Sequence, residues 1–207
     1  MKKIILFDFD GVIADTFDFC YTLHKMSYPE NSVEDYRNKF AGNINEALHS
    51  VEAKPEEVNK SNRDFFSLYK PQLMKLEVIN NMAQVISNLA ADYDLFIISS
   101  TDTNVIKEFL EREKLLHYFK QVLGNDVHFS KVKKIQMLYE NYNADSANYL
   151  FVTDTLGDIR EAEKCNIKSI AVAWGYHPVT TLEKGNPIAI VQTPKELVEA
   201  IRTSFKI

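Results

Sequence analysis

Short apolar runs recur along the chain, and most are followed by a stretch of helical periodicity. Ile4-Ile5-Leu6-Phe7 comes first, then Leu95-Phe96-Ile97-Ile98, Gln121-Val122-Leu123, Tyr149-Leu150-Phe151-Val152 and Ser169-Ile170-Ala171-Val172. A sixth run, Ile188-Ala189-Ile190-Val191, precedes a closing helix expected to start near Pro194. Runs of this length, rich in Ile and Val, are what strands covered on both faces look like. Between them, Val105, Ile106, Phe109 and Leu110 form one helical stripe, Ile135, Leu138, Tyr139 and Tyr142 another, and Ala162 with Cys165 a shorter one. Strand alternating with helix predicts an α/β fold, a parallel sheet with helices on both faces.

One interval breaks this rhythm. From about Asp15 to Glu77 no convincing strand occurs, yet helix starts recur: Ser32-Val33-Glu34-Asp35 reads as an N-cap with acids in the first turn, and Pro55-Glu56-Glu57 as a Pro-led start. Phe17, Phe19, Tyr21, Tyr36, Phe40, Phe65, Phe66 and Tyr69 supply the core of a small helical bundle. A crossover between parallel strands needs a dozen or more residues, so this interval is an inserted module. The expected division is 1–14 with 78–207 as the core and 15–77 as the insert.

Composition narrows the function. The 207 residues are 45% hydrophobic and 26% charged, which argues against disorder and fibrous repeats. A net charge of −5 without a long basic run disfavours a nucleic-acid polymer as partner. Cys20 and Cys165 have no metal-type spacing and read as buried thiols in a reducing compartment. The first apolar run stops at Asp8, short of an export signal, and no stretch approaches the ~18 apolar residues of a membrane span. The expectation is a cytoplasmic protein without a membrane partner, in which Asn59-Lys60-Ser61 is no glycosylation site. The oligomeric state is not readable.

Ligands of open α/β sheets bind beyond the carboxyl ends of the strands. After the first strand comes Asp8-Phe9-Asp10-Gly11-Val12, after the second Ser99-Ser100-Thr101, after the third Ser130-Lys131-Val132-Lys133-Lys134, and after the fourth Asp154-Thr155-Leu156-Gly157-Asp158. Singly, each reads as a turn, a helix cap, a solvated face or a loop acid. Together they gather at one sheet edge. Asp8, Asp10, Asp154 and Asp158 would raise one another's pKa unless a cation lay between them. Mg²⁺ takes hard oxygen ligands and is often held by one or two carboxylates plus a substrate phosphate. Ser99 and a lysine would supply donors and charge on the far side of the phosphoryl group, a set suited to phosphoryl transfer.

These four segments resemble, in order and over the whole chain, the motifs of the haloacid dehalogenase superfamily. The resemblance implies a Rossmann-like parallel sheet of strand order 3-2-1-4-5 with an inserted α-helical cap. It further implies Asp8 as nucleophile, passing through an aspartyl-phosphate, and Asp10 as general acid, then base. Ser99 and Ser100 would bind the phosphoryl group together with Lys131, and Mg²⁺ would be held by Asp8, the Asp10 carbonyl and Asp154, with Asp158 mostly through water. Lys133 and Lys134 compete with Lys131, and Val132 stands where related phosphatases often carry Pro.

An acid two residues past the nucleophile favours phosphate esters, because an alkoxide is a poor leaving group without a proton. The segment Ala171 to Tyr176, with Leu182 and Pro194-x-x-Leu197, resembles the tail of phosphoglycolate-phosphatase-like members, although Trp174 is equally a packing residue. The expected activity is Mg²⁺-dependent hydrolysis of a small phosphorylated metabolite: phosphoglycolate, a sugar phosphate or a nucleoside monophosphate. The insert holds eight Lys/Arg and eleven Asp/Glu, so it advertises no highly anionic partner. One alternative is a sugar-phosphate mutase of the β-phosphoglucomutase type, in which Arg37 would replace the arginine such enzymes carry near Gly42-Asn43-Ile44-Asn45-Glu46. Another is a phospho-accepting receiver-like module, which turnover of p-nitrophenyl phosphate would exclude. His24, His49, His117, His128 and His177 read as surface or structural, with only His177 near the expected site.

Overall fold

The computed structural model describes residues 2–42, 65–142 and 144–205. Six parallel strands, β1 (Ile4–Phe7), β2 (Asp94–Ile98), β3 (Phe119–Leu123), β4 (Tyr149–Thr153), β5 (Lys168–Val172) and β6 (Ala189–Val191), form one sheet of order 3-2-1-4-5-6. The expected order is extended by the sixth apolar run, which adds the outer strand. Strand β3 starts two residues before the apolar run that announces it, because Phe119 is buried while Lys120 and Gln121 are exposed.

Every residue of β1 is buried, and its side chains feed two cores by alternation. Ile5 and Phe7 point to one face, where α4 (Met82–Asp92), α5 (Thr103–Arg112) and α9 (Pro194–Ser204) contribute Met82, Ile86, Ile106, Phe109, Leu197 and Ile201. Ile4 and Leu6 point to the other face, against Ile135 and Leu138 of α6 (Lys131–Tyr142) and Ala162 of α7 (Leu156–Lys164). The short helix α8 (Val179–Leu182) buries Leu182.

The central position of β1 carries the functional consequence. Phe7 pairs with Ile97 on one side and Val152 on the other, so the residues after β1, β2 and β4 emerge together. Asp8 continues the ladder for one more bond, its N–H donating to the Val152 carbonyl at 2.9 Å.

Between β1 and α4 the described residues hold three helices, α1 (Phe17–Ser27), α2 (Val33–Asn38) and α3 (residues 65–73), and no strand. Helix α2 starts as expected: the Ser32 hydroxyl accepts from the Asp35 N–H while the Asp35 carboxylate accepts from the Ser32 N–H. The proposed start at Pro55 lies outside the described residues. The chain leaves and re-enters the sheet region at one point, where Ala14 and Val78 form an antiparallel bridge and the Ile79 N–H donates to the Ile13 carbonyl at 2.9 Å. Among the described residues no helix is long and apolar enough to cross a membrane, and both cysteines are buried and free.

Candidate active site

Asp8 stands at the carboxyl end of β1, buried, with its Oδ1 accepting from the Phe9 N–H at 2.7 Å. Its Oδ2 lies 2.8 Å from the Lys131 ammonium, which also contacts Asp158 Oδ2 at 2.6 Å. Thr153, the last residue of β4, donates to the same Asp158 oxygen at 2.8 Å. One cation thus bridges a carboxylate from the first strand and one from the first turn of α7. Burial alone would raise Asp158, but Lys131 and the hydrogen bonds outweigh it and hold its carboxyl below the ordinary range. Burial would equally depress Lys131, and the two acids reverse that and raise it. Asp8 is pushed well up, by burial first and then by Asp158 and Asp154 against the pull of Lys131.

Helix phase explains the choice of lysine. Lys131 and Lys134 sit one turn apart on the buried side of α6, whereas Lys133 turns outward and bonds the Gln136 side chain at 3.1 Å. Lys134 is fully buried and does not reach a carboxylate; its Nζ donates to the Ser99 carbonyl at 2.5 Å. Burial, with repulsion from Lys131, lowers its pKa to about 7. The solvated-face reading fails for both residues.

Asp154 is fully buried with one oxygen satisfied and one not. Its Oδ2 accepts from the Tyr176 N–H at 2.7 Å, while Oδ1 has no hydrogen-bond partner among the described residues. Buried carboxylate oxygens without a donor are costly, and burial lifts this carboxyl to about 7. The backbone is drawn in around it: a Cβ on Gly11, whose φ is +70°, would lie 2.0 Å from Asp154 Oδ2, and one on Gly175 2.3 Å from the Asp154 Cβ. Among the described residues no three His, Cys, Asp or Glu side chains converge on one point. Mg²⁺ is typically held by one or two carboxylates, with waters and substrate phosphate completing its shell. The orphaned oxygen of Asp154 beside the negatively surrounded Asp8 fits such an ion.

Asp10 has a different environment. It is partly buried, and hydroxyls surround its carboxyl: Tyr69 at 2.6 Å and Thr16 at 2.9 Å on Oδ1, Thr101 at 2.7 Å and Ser99 at 3.5 Å on Oδ2. Thr16 gives its only proton to Asp10, so the Tyr176 hydroxyl 3.0 Å away donates to Thr16. Ser99 is buried and accepts the Thr101 N–H at 3.0 Å. It does not cap α5, a task that falls to Asp102. Ser100 beside it is half-buried. The sequence pattern places Tyr69 in the bundle core and Tyr176 in the tail segment, and it assigns none of Thr16, Tyr69, Thr101, Thr153 or Tyr176 to the site. Their signal was weak: Thr101 stands in the hydroxyl run, and Tyr69 is one aromatic among eight.

The insert touches α7 through its backbone carbonyls, which accept from one backbone N–H and from the Arg160 guanidinium. The Gly157 N–H donates to the Phe40 carbonyl at 2.9 Å and Arg160 to the Ala41 carbonyl at 2.8 Å. A Cβ on Gly157 would lie 2.3 Å from the Gly42 carbonyl oxygen, so this approach requires glycine. His177 is buried rather than a surface residue, and it joins the same seam. Its Nδ1 accepts the Leu156 N–H at 2.9 Å, so its Nε2 is the donor to the Arg37 carbonyl at 2.8 Å. Burial lowers its pKa, consistent with a neutral ring. The Arg37 guanidinium lies 4.7 Å over the Phe17 ring, and its buried Nε has no partner among the described residues. Asn45 and its neighbours, compared above with the mutase loop, lie outside the described residues, as do His49 and Asn59. Trp174 donates to the Val12 carbonyl at 3.4 Å and packs on the core.

With this geometry in place, similarity to known proteins becomes specific. The family model described as haloacid dehalogenase-like hydrolase matches residues 5–172. "Probable phosphatase IndB" of Dickeya dadantii is 27% identical over 222 residues, spanning 100% of this chain and 96% of that protein. The phosphoglycolate phosphatase of Vibrio parahaemolyticus is 24% identical, spanning 98% and 97%. Among solved structures, a hydrolase from Pseudomonas syringae superposes with a TM-score of 0.80 at 13% identity, over 98% of this chain and 99% of that one, a likeness of fold.

Proposed function

The chain belongs to the haloacid dehalogenase-like hydrolase family and is a phosphatase, and on that premise we propose that it hydrolyses a small phosphomonoester through an aspartyl-phosphate on Asp8, with Mg²⁺ as cofactor. The observation that carries this reading is the Lys131 bridge between Asp8 and Asp158 beside the unpartnered Oδ1 of Asp154. It combines a held nucleophile, a fixed positive charge and an oxygen waiting for a ligand. The core comprises 1–14 and 78–207, and 15–77 forms the cap.

An Asp8 carboxylate oxygen forms the new bond to phosphorus as the ester oxygen departs with the proton of Asp10. Asp10 then takes a proton from water as the water oxygen bonds phosphorus and the Asp8–phosphorus link breaks. Lys131 holds Asp8 aligned and offsets charge on the transferring group, while Ser99 and Ser100 donate to phosphoryl oxygens. The side chains of Asp8 and Asp154 and the Asp10 carbonyl would hold Mg²⁺, which when bound supplies charge neutralisation at the phosphate. Asp158 serves chiefly to hold Lys131, and it would contribute to the ion mostly through water. The named relative's phosphoglycolate falls within the proposed substrate class, as do sugar phosphates and nucleoside monophosphates.

A Mg²⁺-dependent screen over phosphorylated metabolites, run beside Asp8→Asn, tests the reading. The variant is expected to lose at least about 10³-fold in kcat, since the covalent route is gone, and wild type should give a phosphoenzyme on rapid quench. An Asp8→Asn enzyme as fast as wild type overturns the assignment. Repeated turnover of p-nitrophenyl phosphate separates the enzyme from a receiver, which would take up phosphate once.

A further inference from the structure

The Asp10 carboxyl receives hydroxyls from three separate stretches of chain: Thr101 after β2, Thr16 at the exit from the sheet, and Tyr69 from α3 in the insert. Tyr69 lies 59 positions from Asp10 and makes the shortest of these bonds, 2.6 Å. Its ring is fully buried, with Phe19, Phe65 and Phe66 at centroid distances of 5.2, 5.6 and 5.9 Å. A buried phenol needs an acceptor, but a backbone carbonyl would serve for stability alone. Here the acceptor is the carboxyl two residues from Asp8.

The two oxygens of that carboxyl are unequally engaged. A carboxylate oxygen has about two lone-pair sites, and Tyr69 and Thr16 take both on Oδ1. On Oδ2, Thr101 takes one at 2.7 Å, while Ser99 stands 3.5 Å away, at the edge of bonding distance. The less engaged oxygen therefore lies on the side of Ser99, where the phosphoryl group is expected. The χ2 torsion of an aspartate is broad and roughly two-fold, so without such pinning the carboxyl would present either oxygen or turn aside. The Tyr69 hydroxyl is suited to this work, because burial and the nearby Asp10 push its ionisation well above the ordinary phenol range and keep its proton in place.

We propose that Tyr69 is a positioning residue that saturates Asp10 Oδ1 and so commits Oδ2 to carry the proton exchanged with the departing ester oxygen, making the insert part of the acid's geometry. This rests on the acid role of Asp10 proposed above. The proton moves from Asp10 Oδ2 to the ester oxygen as the phosphorus–oxygen bond breaks, and Tyr69 keeps its own proton throughout.

The test is the dependence of rate on leaving group, which loss of folded protein does not mimic. Tyr69→Phe, Asp10→Asn and wild type are assayed with Mg²⁺ on substituted phenyl phosphates from p-nitrophenyl phosphate upward, and on glycerol 2-phosphate, with thermal unfolding followed in parallel. General acid catalysis contributes 10²–10⁴-fold, so losing its alignment should cost Y69F about tenfold in kcat on glycerol 2-phosphate and under about threefold on p-nitrophenyl phosphate, with KM little changed. Phe65→Leu keeps the hydroxyl while loosening its seat, and should show a smaller loss of the same selectivity even if Y69F folds poorly. Equal loss on both esters in both variants, or no loss in either, overturns the proposal. If D10N is selective and the Tyr69 and Phe65 variants are not, only Tyr69 loses its role. If D10N is itself unselective, the acid assignment of Asp10 has failed.

Discussion

Asp8 and Asp10 are separated by one residue, and their surroundings have almost nothing in common. Asp8 lies on an ionic side of the site: buried, paired with Lys131, and close enough to Asp158 and Asp154 that each acid affects the next. Asp10 lies on a hydroxyl side, held by Tyr69, Thr16, Thr101 and more distantly Ser99, with no cation in contact among the described residues. Strand alternation would put residues 8 and 10 on one face, but β1 ends at Phe7 and the chain turns through Gly11 at a φ of +70°, so the two side chains enter different surroundings. The difference matches the roles proposed for the two groups. A nucleophile needs its charge kept and aimed, which a fixed ammonium accomplishes, whereas a proton shuttle needs neutral donors that orient it without locking its charge.

The comparison breaks most visibly at Lys131. Replacing it by Met leaves Asp8 and Asp158 buried without a counter-charge, and breaking a buried pair from one side costs about 3–5 kcal/mol. Lys131→Met is therefore expected to lower urea-unfolding stability by several kcal/mol and to abolish turnover of p-nitrophenyl phosphate. Stability within about 1 kcal/mol of wild type would mean that the ionic side is not held by charge. The linked dependence on pH also has a defined sign. Asp158 is depressed, so its contribution is present above the ordinary carboxylate range and fades as pH falls through its folded pKa.

The pocket proposed for Mg²⁺ gives the next effect. Gly175 leaves room for Asp154, and a Cβ there would sit 2.3 Å from the Asp154 Cβ. Gly175→Ala must shift the backbone that carries the Tyr176 N–H to Asp154 Oδ2. Disturbing a group that orients a ligand usually costs 10–100-fold in metal affinity. The expected outcome is a Mg²⁺ half-saturation raised by about tenfold or more, in activity and in thermal shift with the metal alone, with kcat largely restored at saturating Mg²⁺. An unchanged Mg²⁺ titration would remove Asp154 from the ligand set.

The two sides were not equally legible in the sequence. Strand positions follow from apolar runs, and strand ends carrying Asp8, Ser99 and Asp154 follow from those runs, because in a parallel sheet short-range pattern decides which residues reach the edge. Even the sixth strand was visible at Ile188 to Val191. The hydroxyl side was not. Tyr69 and Asp10 meet across 59 positions, through packing of Phe19, Phe65 and Phe66 that no local period encodes. His177 was placed near the expected site, yet its role is to join Leu156 to Arg37. The lysines were ambiguous for a simpler reason: a run of three within four positions becomes distinct only when the phase of α6 against the sheet is known.

The smallest effect tests how many cations the ionic side contains. Lys134 stands one helical turn from Lys131 but bonds the Ser99 carbonyl, and burial brings its pKa to about 7. The folded pKa lies below the unfolded value near 10.5, so between these limits the unfolded chain holds more protons, and stability rises with pH across that window. Below about 7 both states are charged and this contribution is flat. Lys134→Met has no such proton to lose. The difference in urea-unfolding stability between wild type and Lys134→Met should therefore move in favour of wild type by about 1 kcal/mol for each pH unit between 7 and 9. Taking a difference cancels the opposite slope of the raised carboxyls Asp8 and Asp154, which both proteins share. A flat difference would mean that Lys134 stays charged throughout, so that two ammonium groups rather than one offset the acids at this edge of the sheet.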